Sequence, residues 1–188
     1  QTRHAKRVAV VGAGPAGLSA AVSAAQRGHR VDLFEAGDSI GGQFSIAARI
    51  PGKEEFNETI RYYNRQLEIN NVTLHLGGRV DAEQIIGEGF DQVIIATGVV
   101  PRVPDIAGID HPMVMSYADA VLGRREIGKR VAVIGAGGIG FDVTELLAHR
   151  PETLTEWKAH WGVGDPAVAR GGITDKTPRD ARREVWLV

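Results

Sequence analysis

The pattern G-x-G-x-x-G occurs twice in this chain, as Gly12, Gly14 and Gly17 and again as Gly135, Gly137 and Gly140. Each copy follows a β-branched apolar run (residues 8–11 and 131–134) and leads into a segment of helical character. That context restricts the fold to a strand that turns sharply into a helix. The first glycine makes the tight turn, the second lets backbone approach a pyrophosphate, and the third lets the helix pack closely on the strand. The new helix then directs its free N–H groups and positive dipole end at the phosphates. Two copies, 123 positions apart, predict two dinucleotides held by one protein. The plainer alternative is a glycine turn that packs tightly and binds nothing, and it carries more weight for the second copy than for the first.

Composition narrows the class further. The 188 residues are 43% hydrophobic, enough for a real core in one or two domains. The 24 glycines fall in turns and motifs, without a collagen-type repeat. A net charge of −1 gives no reason to expect nucleic acid or anionic lipid as a partner. No apolar run reaches the ~18 residues of a membrane helix, and no segment resembles a signal peptide, so the expected location is the cytoplasm. With no cysteine, the chain itself has no disulfides, thiol redox motifs, iron–sulfur ligation or cysteine nucleophiles. It starts at Gln1 rather than Met, and residues 184–188 read as an interrupted strand. The expectation is a piece of a longer protein.

Along the chain, a strand at 8–11, a helix from Pro15 to about Arg27 and a strand at 31–34 make a complete β-α-β unit. Pro15 suits the first helical turn, and Gly28 sits where a helix C-terminus is closed. A loop carrying Gly41, Gly42 and Gln43 closes at Pro51-Gly52. Residues 54–69 read as a helix, 72–76 as a strand, and 91–96 as an apolar run ending in Thr97-Gly98. Pro101, Pro104 and Gly108 mark an extended crossover, the best domain boundary. The expected organisation is an incomplete dinucleotide-binding domain at 1–108 and a second incomplete one at 109–188. The second begins with the strand at Arg130, continues with a helix at 138–149 and carries an insertion at 151–184. That insertion holds a possible short helix at 154–161 and could cap a neighbour through Trp157 and Trp161.

Glu35 ends the second strand, where a carboxylate accepts hydrogen bonds from the adenosine ribose hydroxyls. It would repel a 2′-phosphate, so the first site should take FAD, NAD or ADP rather than NADP. The second copy has no comparable acid: Glu156 lies in the insertion, and the strand that would present one runs to Val188. NAD and NADP therefore stay open there. Gln43 could hydrogen-bond flavin or phosphate, or be a solvent-exposed amide, and Lys53 is a candidate cation for the same site. The six histidines are scattered without metal-ligand spacing, so no metal site is expected. No Ser/His/Asp constellation is present, and no catalytic residue is assigned.

Residues 8–17, Glu35, Gly41-Gly42-Gln43, Ala96-Thr97-Gly98 and the second glycine turn resemble the two-dinucleotide flavoprotein fold of glutathione-reductase-like and thioredoxin-reductase-like enzymes. That resemblance implies an α/β fold of two Rossmann-like domains with parallel sheets, both truncated here. A narrower resemblance rests on residues 50–56 (IPGKEEF), Tyr62-Tyr63, 108–112 (GIDHP) and 135–142. These look like the C-terminal half of the bacterial 2,4-dienoyl-CoA reductase family, whose relatives include trimethylamine and histamine dehydrogenases. The likeness covers nearly the whole chain and includes an insertion before the final strand.

This resemblance implies partners upstream in the parent chain: a flavin-bearing barrel with FMN and a cysteine-bound 4Fe-4S segment. Electrons would pass from NADPH through FAD, the cluster and FMN to a dienoyl-CoA substrate. The carry-over to this chain is limited to cofactor contacts. Gly12, Gly14, Ala16 and Gly17 would meet the pyrophosphate, Glu35 the ribose, and Gln43 and Lys53 the rest of the FAD. Val80 would pair its backbone with adenine and Gly98 would line the FAD crossover. Gly135, Gly137 and Gly140 would hold the NADP(H). Two other readings stay open: an amine dehydrogenase relative in which ADP is a structural ligand, and a non-catalytic binding module. A disulfide reductase is set aside because the chain has no Cys pair.

Overall fold

A computed structural model describes residues 2–188 and divides the chain into two compact units, Gln1–Met115 and Ser116–Val188. The division falls a few residues beyond the crossover at 101–108, because successive turns carry the chain on through His111 and Val114.

The first unit contains β1 (Arg7–Val11), α1 (Pro15–Gln26), β2 (Arg30–Phe34), α2 (Gln43–Ala47) and α3 (Phe56–Ile69). It continues with β3 (Thr73–His75), α4 (Ala82–Gly87) and β4 (Gln92–Ile95). The four strands form one sheet in the order β3-β2-β1-β4, and every pairing is parallel. A parallel sheet covered on both faces reads as an unbroken apolar run at its centre. β1 is that strand: Val8, Ala9 and Val10 are all buried. Val8 and Val10 face one way and pack with Leu18, Ala21 and Val22 of α1 and with Val31 and Leu33 of β2. Ala9 faces the other way, toward Phe34 and Ile85. α1 ends at Gly28, whose φ of +96° suits the reversal after a helix.

Two elements of the first unit, and α5 (Tyr117–Val121) of the second, depart from the sequence reading. Residues 43–47 form the short helix α2 rather than open loop, started by the paired glycines Gly41 and Gly42 at φ +116° and +51°. The sequence between β3 and β4 also contains α4, capped by the Asp81 carboxylate, which accepts from the Gln84 N–H at 2.8 Å.

The second unit contains α5 (Tyr117–Val121), β5 (Arg130–Val133), α6 (Gly138–Ala148), α7 (Leu154–Trp161), a 3-10 turn at Arg170–Gly172 and β6 (Glu184–Leu187). β5 and β6 pair in parallel. The insertion between α6 and β6 is built. Thr153 and Glu156 form a reciprocal cap on α7: the Thr153 hydroxyl accepts from the Glu156 N–H, and the Glu156 carboxylate accepts from the Thr153 N–H at 2.7 Å. Val163 and Ile173 then form an antiparallel bridge, and the Thr177 N–H donates to the Ala159 carbonyl at 2.9 Å. Arg179 closes the segment on its own start, pairing with the Glu152 carboxylate and donating to the Arg150 carbonyl.

The cap makes α7 acid-sensitive. Hydrogen bonds from the Thr153 backbone, and then from its hydroxyl, hold the Glu156 carboxyl below its ordinary value. A group lowered on folding stabilises above its unfolded value, and that stabilisation is lost as pH falls through the folded value. The protection factors of the α7 amides, with the intrinsic exchange rate divided out, should therefore fall on acidification through the carboxylate range. Thr153→Ala should produce the same loosening at neutral pH, about 1 kcal/mol for a lost cap. Unchanged protection in both tests would remove the cap as the element that holds α7.

Candidate functional site

The six helices with eight or more residues or a side-chain cap differ at their N-termini; α3 begins on Glu55 without a side-chain cap but carries Glu58 in its first turn. α4, α5 and α7 begin on Asp81, Ser116 and Thr153, and each side chain accepts a backbone N–H of the first turn. α1 and α6 begin on Gly14 and Gly137, with no side-chain cap and no acid in the first turn. The first N–H groups of a helix have no partner within it and must be satisfied from outside. The two helices that follow the glycine patterns thus offer uncapped donors and the positive end of a dipole to an anion.

The glycines separate into those the fold requires and those it does not. A Cβ on Gly12 would stand 2.3 Å from the Ala96 carbonyl oxygen, and its φ of +105° already disfavours other residues. A Cβ on Gly17 would stand 1.8 Å from the Gly12 carbonyl oxygen. These two glycines let α1 lie directly on β1 and the end of β4. Gly14 is different: φ is −74°, and a Cβ there would meet no atom within 4 Å. Packing therefore does not require glycine at 14, and the space in front of it is open for a ligand. The second turn repeats the division. Gly140 is blocked by the Gly135 carbonyl oxygen at 1.8 Å, whereas a Cβ on Gly137 would meet nothing.

Around Gly14 the first unit gathers further groups. The Glu35 carboxylate, at the end of β2, accepts from the Ala13 N–H and the Gly37 N–H, each at 2.8 Å. This fixes the acid beside the turn, and a carboxylate has about four acceptor positions, so further donors can be accepted. The Glu35 N–H itself donates to the His75 carbonyl, which ties β2 to β3. The Gly41 N–H donates to the Ala13 carbonyl, and a Cβ on Gly42 would come within 3.1 Å of Gly14 Cα. Gly42 is thus part of the same wall, a role the sequence reading did not assign. The doubled glycine was the available signal.

The remaining residues expected at the site take varied positions. Ala16 is exposed in the first turn of α1, and Gln43 opens α2 directly after Gly42. Lys53 is half-buried in the turn between α2 and α3, its N–H bonded to the Ile50 carbonyl. Val80 packs against the Phe34 and Ile85 cluster on the second face of the sheet. Gly98 lies just past β4 at φ +73°. Among the described residues no group of three or more His, Cys, Asp or Glu side chains is placed to hold a metal ion. No described helix is long and apolar enough to cross a membrane.

The second turn is built to the register of the first. The Gly12 N–H donates to the Phe34 carbonyl at 2.7 Å, and the Gly135 N–H donates to the Val188 carbonyl at 2.8 Å. Val188 therefore corresponds to Phe34, the residue directly before Glu35.

Comparison with known proteins gives the same picture. The sequence pattern of the family described as pyridine nucleotide-disulphide oxidoreductase matches residues 6–155. A bilirubin reductase from Mediterraneibacter gnavus is 42% identical over 144 residues, which is 76% of this chain and 22% of that protein. A 2-naphthoyl-CoA reductase in complex with 2-naphthoyl-CoA is similar in structure, with a TM-score of 0.75 and 38% identity. The match covers 78% of this chain and 22% of that one. Histamine dehydrogenase from Rhizobium sp. 4-9 matches with a TM-score of 0.68 and 29% identity, over 78% of this chain and 25% of that one. The chain spans less than a quarter of the length of the bilirubin reductase it matches.

Gly14 and Gly17 should separate in experiment. Gly14→Val should leave the unfolding midpoint close to that of the parent while abolishing ADP binding, because the side chain fills only the ligand's space. Gly17→Ala should lower stability by about 1–3 kcal/mol, the usual cost of overpacking, because backbone must move. Urea unfolding and ADP titration of both variants check this. ADP binding by Gly14→Val at the parental affinity would show that the turn is not a phosphate cradle.

Proposed function

The chain belongs to the pyridine nucleotide-disulphide oxidoreductase family, and from that premise we propose that it is the FAD- and NAD(P)H-binding part of a multi-cofactor flavoprotein reductase. Binding of these two cofactors is typical of the family's dinucleotide domains. The thiol chemistry in the family's description has no carrier here, since the chain contains no cysteine. The observation that carries the reading is Glu35, clamped by two backbone N–H groups beside the open, uncapped turn at Gly14.

The residues fit the group. The N-terminus of α1 would meet the pyrophosphate, Gly14 would leave it room, and Glu35 would accept from the ribose hydroxyls. Ala96 and Gly17 hold the helix at the height this requires. Bound FAD would supply the hydride acceptor; the protein contributes position and electrostatics. In the second unit the uncapped N-terminus of α6 would hold the nicotinamide dinucleotide through Gly135, Gly137 and Gly140.

Within this class the favoured activity is NADPH-dependent 2,4-dienoyl-CoA reduction. The likeness to a reductase bound to an aromatic CoA thioester supports it. The parent would contribute the flavin barrel, the iron–sulfur segment and the enoyl-reducing residues. The likeness to histamine dehydrogenase favours a second reading, an amine dehydrogenase relative in which the first site holds ADP structurally. Colour separates the two, because bound FAD is yellow and ADP is not.

Titration of the chain with ADP, FAD and 2′-phospho-ADP tests the first site. ADP should bind at least about tenfold more tightly than its 2′-phosphate, the size of one hydrogen bond to a charged group. Glu35→Gln should narrow that difference by removing the charge while keeping the shape. Equal affinity of the parent for both nucleotides would remove the role given to Glu35.

A further inference from the structure

The second unit brings two basic stretches together at the end of its strands opposite the glycine turn. Residues 124–130 and 179–184 hold seven basic side chains and three acidic ones, in a chain whose net charge is −1. The Arg183 Nε donates to the Gly128 carbonyl at 3.1 Å, and the Glu184 N–H donates to the Lys129 carbonyl at 2.9 Å. Salt bridges join Arg124 to Asp119, Arg130 to Glu184 and Arg179 to Glu152. Hydrogen bonds from Ser116 and then Arg124 hold the Asp119 carboxyl below its ordinary value, so that acid stays ionised within its own pair.

Arg125, Arg182 and Arg183 border a groove. Val121 and Leu147, 8% and 3% exposed, lie in its lining with half-buried Ile127. Arg125, Arg182 and Arg183 line it with one acid, Glu126. Arg183 also donates to the Leu147 carbonyl in the last turn of α6, at 3.3 Å. These two bonds use two of its five donors. Burial, and then the charge of Arg182, lower the Arg183 guanidinium from its ordinary value; as an arginine it remains a cation.

The dinucleotide is not the occupant. α6 starts at the glycine turn and Leu147 lies in its last turn, so the groove sits a helix length away from the phosphates. The groove is open, with Arg125 and Arg182 exposed along it. A small anion there would stay half in water, whereas an extended segment could set apolar side chains on the floor and carboxylates against the guanidinium forks. Arginine beside apolar surface is also the composition of protein interfaces.

We propose that this groove docks an acidic peptide segment carrying apolar side chains, through Arg125 and Arg182 at its rim and Val121 and Leu147 at its floor. Fluorescence anisotropy with a short labelled peptide of alternating Glu and Leu tests it on the full chain. The peptide should bind, and its Lys/Leu counterpart should not. Binding should vanish at about 1 M salt, where screening reaches ~3 Å. Arg125→Glu with Arg182→Glu should weaken it at least about tenfold, while Arg61→Glu in the other unit leaves it unchanged. Parental circular dichroism and a parental urea-unfolding profile in each variant show that the fold is kept; a charge-reversed pair that fails this check is replaced by Arg182→Ala, which should weaken binding in the same direction. Failure of the Glu/Leu peptide to bind, equal binding of the Lys/Leu peptide, or unchanged affinity in the folded charge-reversed variants would overturn the proposal. Displacement by inorganic pyrophosphate that itself binds the groove would overturn it in favour of a small anion.

Discussion

The first unit depends on one close approach, the seating of α1 on the end of β1 through Gly17. A Cβ at that position would lie 1.8 Å from the Gly12 carbonyl oxygen and 3.3 Å from the Ala96 Cβ. Three chain segments meet there: the strand that enters the turn, the helix that leaves it and the neighbouring strand β4. The helix N-terminus lies just beyond this contact, at Gly14, which has no side chain to cap it although a Cβ there would meet nothing within 4 Å. Packing at Gly17 thus fixes where the helix begins, and glycine at 14 leaves its first N–H groups uncapped.

Much of this was legible in residues 7–35, where each local signal agrees with the global fold. The β-branched run, the glycine spacing, Pro15, Gly28 and Glu35 all point to one β-α-β unit, and the structure contains it in parallel register. Parallel sheets in both units and the short helix at Leu154–Trp161 were likewise readable. α2 was less so. Its five residues bury no side chain completely, so no apolar period marks it. Two glycines at positive φ ordinarily signal a loop. Gly42 was missed as a wall of the site for a related reason: its importance lies in a neighbour 28 positions earlier, Gly14, and sequence spacing does not display that contact.

The two glycine turns show how much a motif says by itself. Residues 7–14 read RVAVVGAG and 130–137 read RVAVIGAG, and both turns close on the carbonyl of the paired strand. Their surroundings differ. β1 is buried along its centre, whereas β5 alternates between exposed and half-buried positions. In the first unit Asp32 lies opposite Ala9 and bonds His75 across β3 at 3.0 Å; the corresponding position opposite Ala132 is Trp186. The cradle geometry is thus local to the strand, turn and helix. The groups that surround it, such as Glu35 held by the Ala13 and Gly37 N–H groups, come from residues that the pattern does not include.

The long insertion shows why the second turn keeps its register despite 31 extra residues between helix and strand, the difference between the spacings 135–188 and 12–34. An unanchored segment of that length would leave β6 free to slide along β5, and a one-residue slip would turn Val185 and Leu187 to the opposite face. Anchors at both ends oppose this. At the start, Arg179 returns to Glu152 and the Arg150 carbonyl, so the inserted residues close on themselves. At the end, the Arg182 N–H donates to the Ala148 carbonyl at 3.0 Å and Arg183 reaches the carbonyls of Gly128 and Leu147. These bonds also satisfy the last carbonyls of α6, which a helix ending without a glycine would otherwise leave to water. β6 therefore enters the sheet from a position fixed by the C-terminus of α6, as β2 enters from the turn at Gly28. The arginines that hold the register are the same ones that make this end of the unit electropositive. Its charge is thus a consequence of how the insertion is closed.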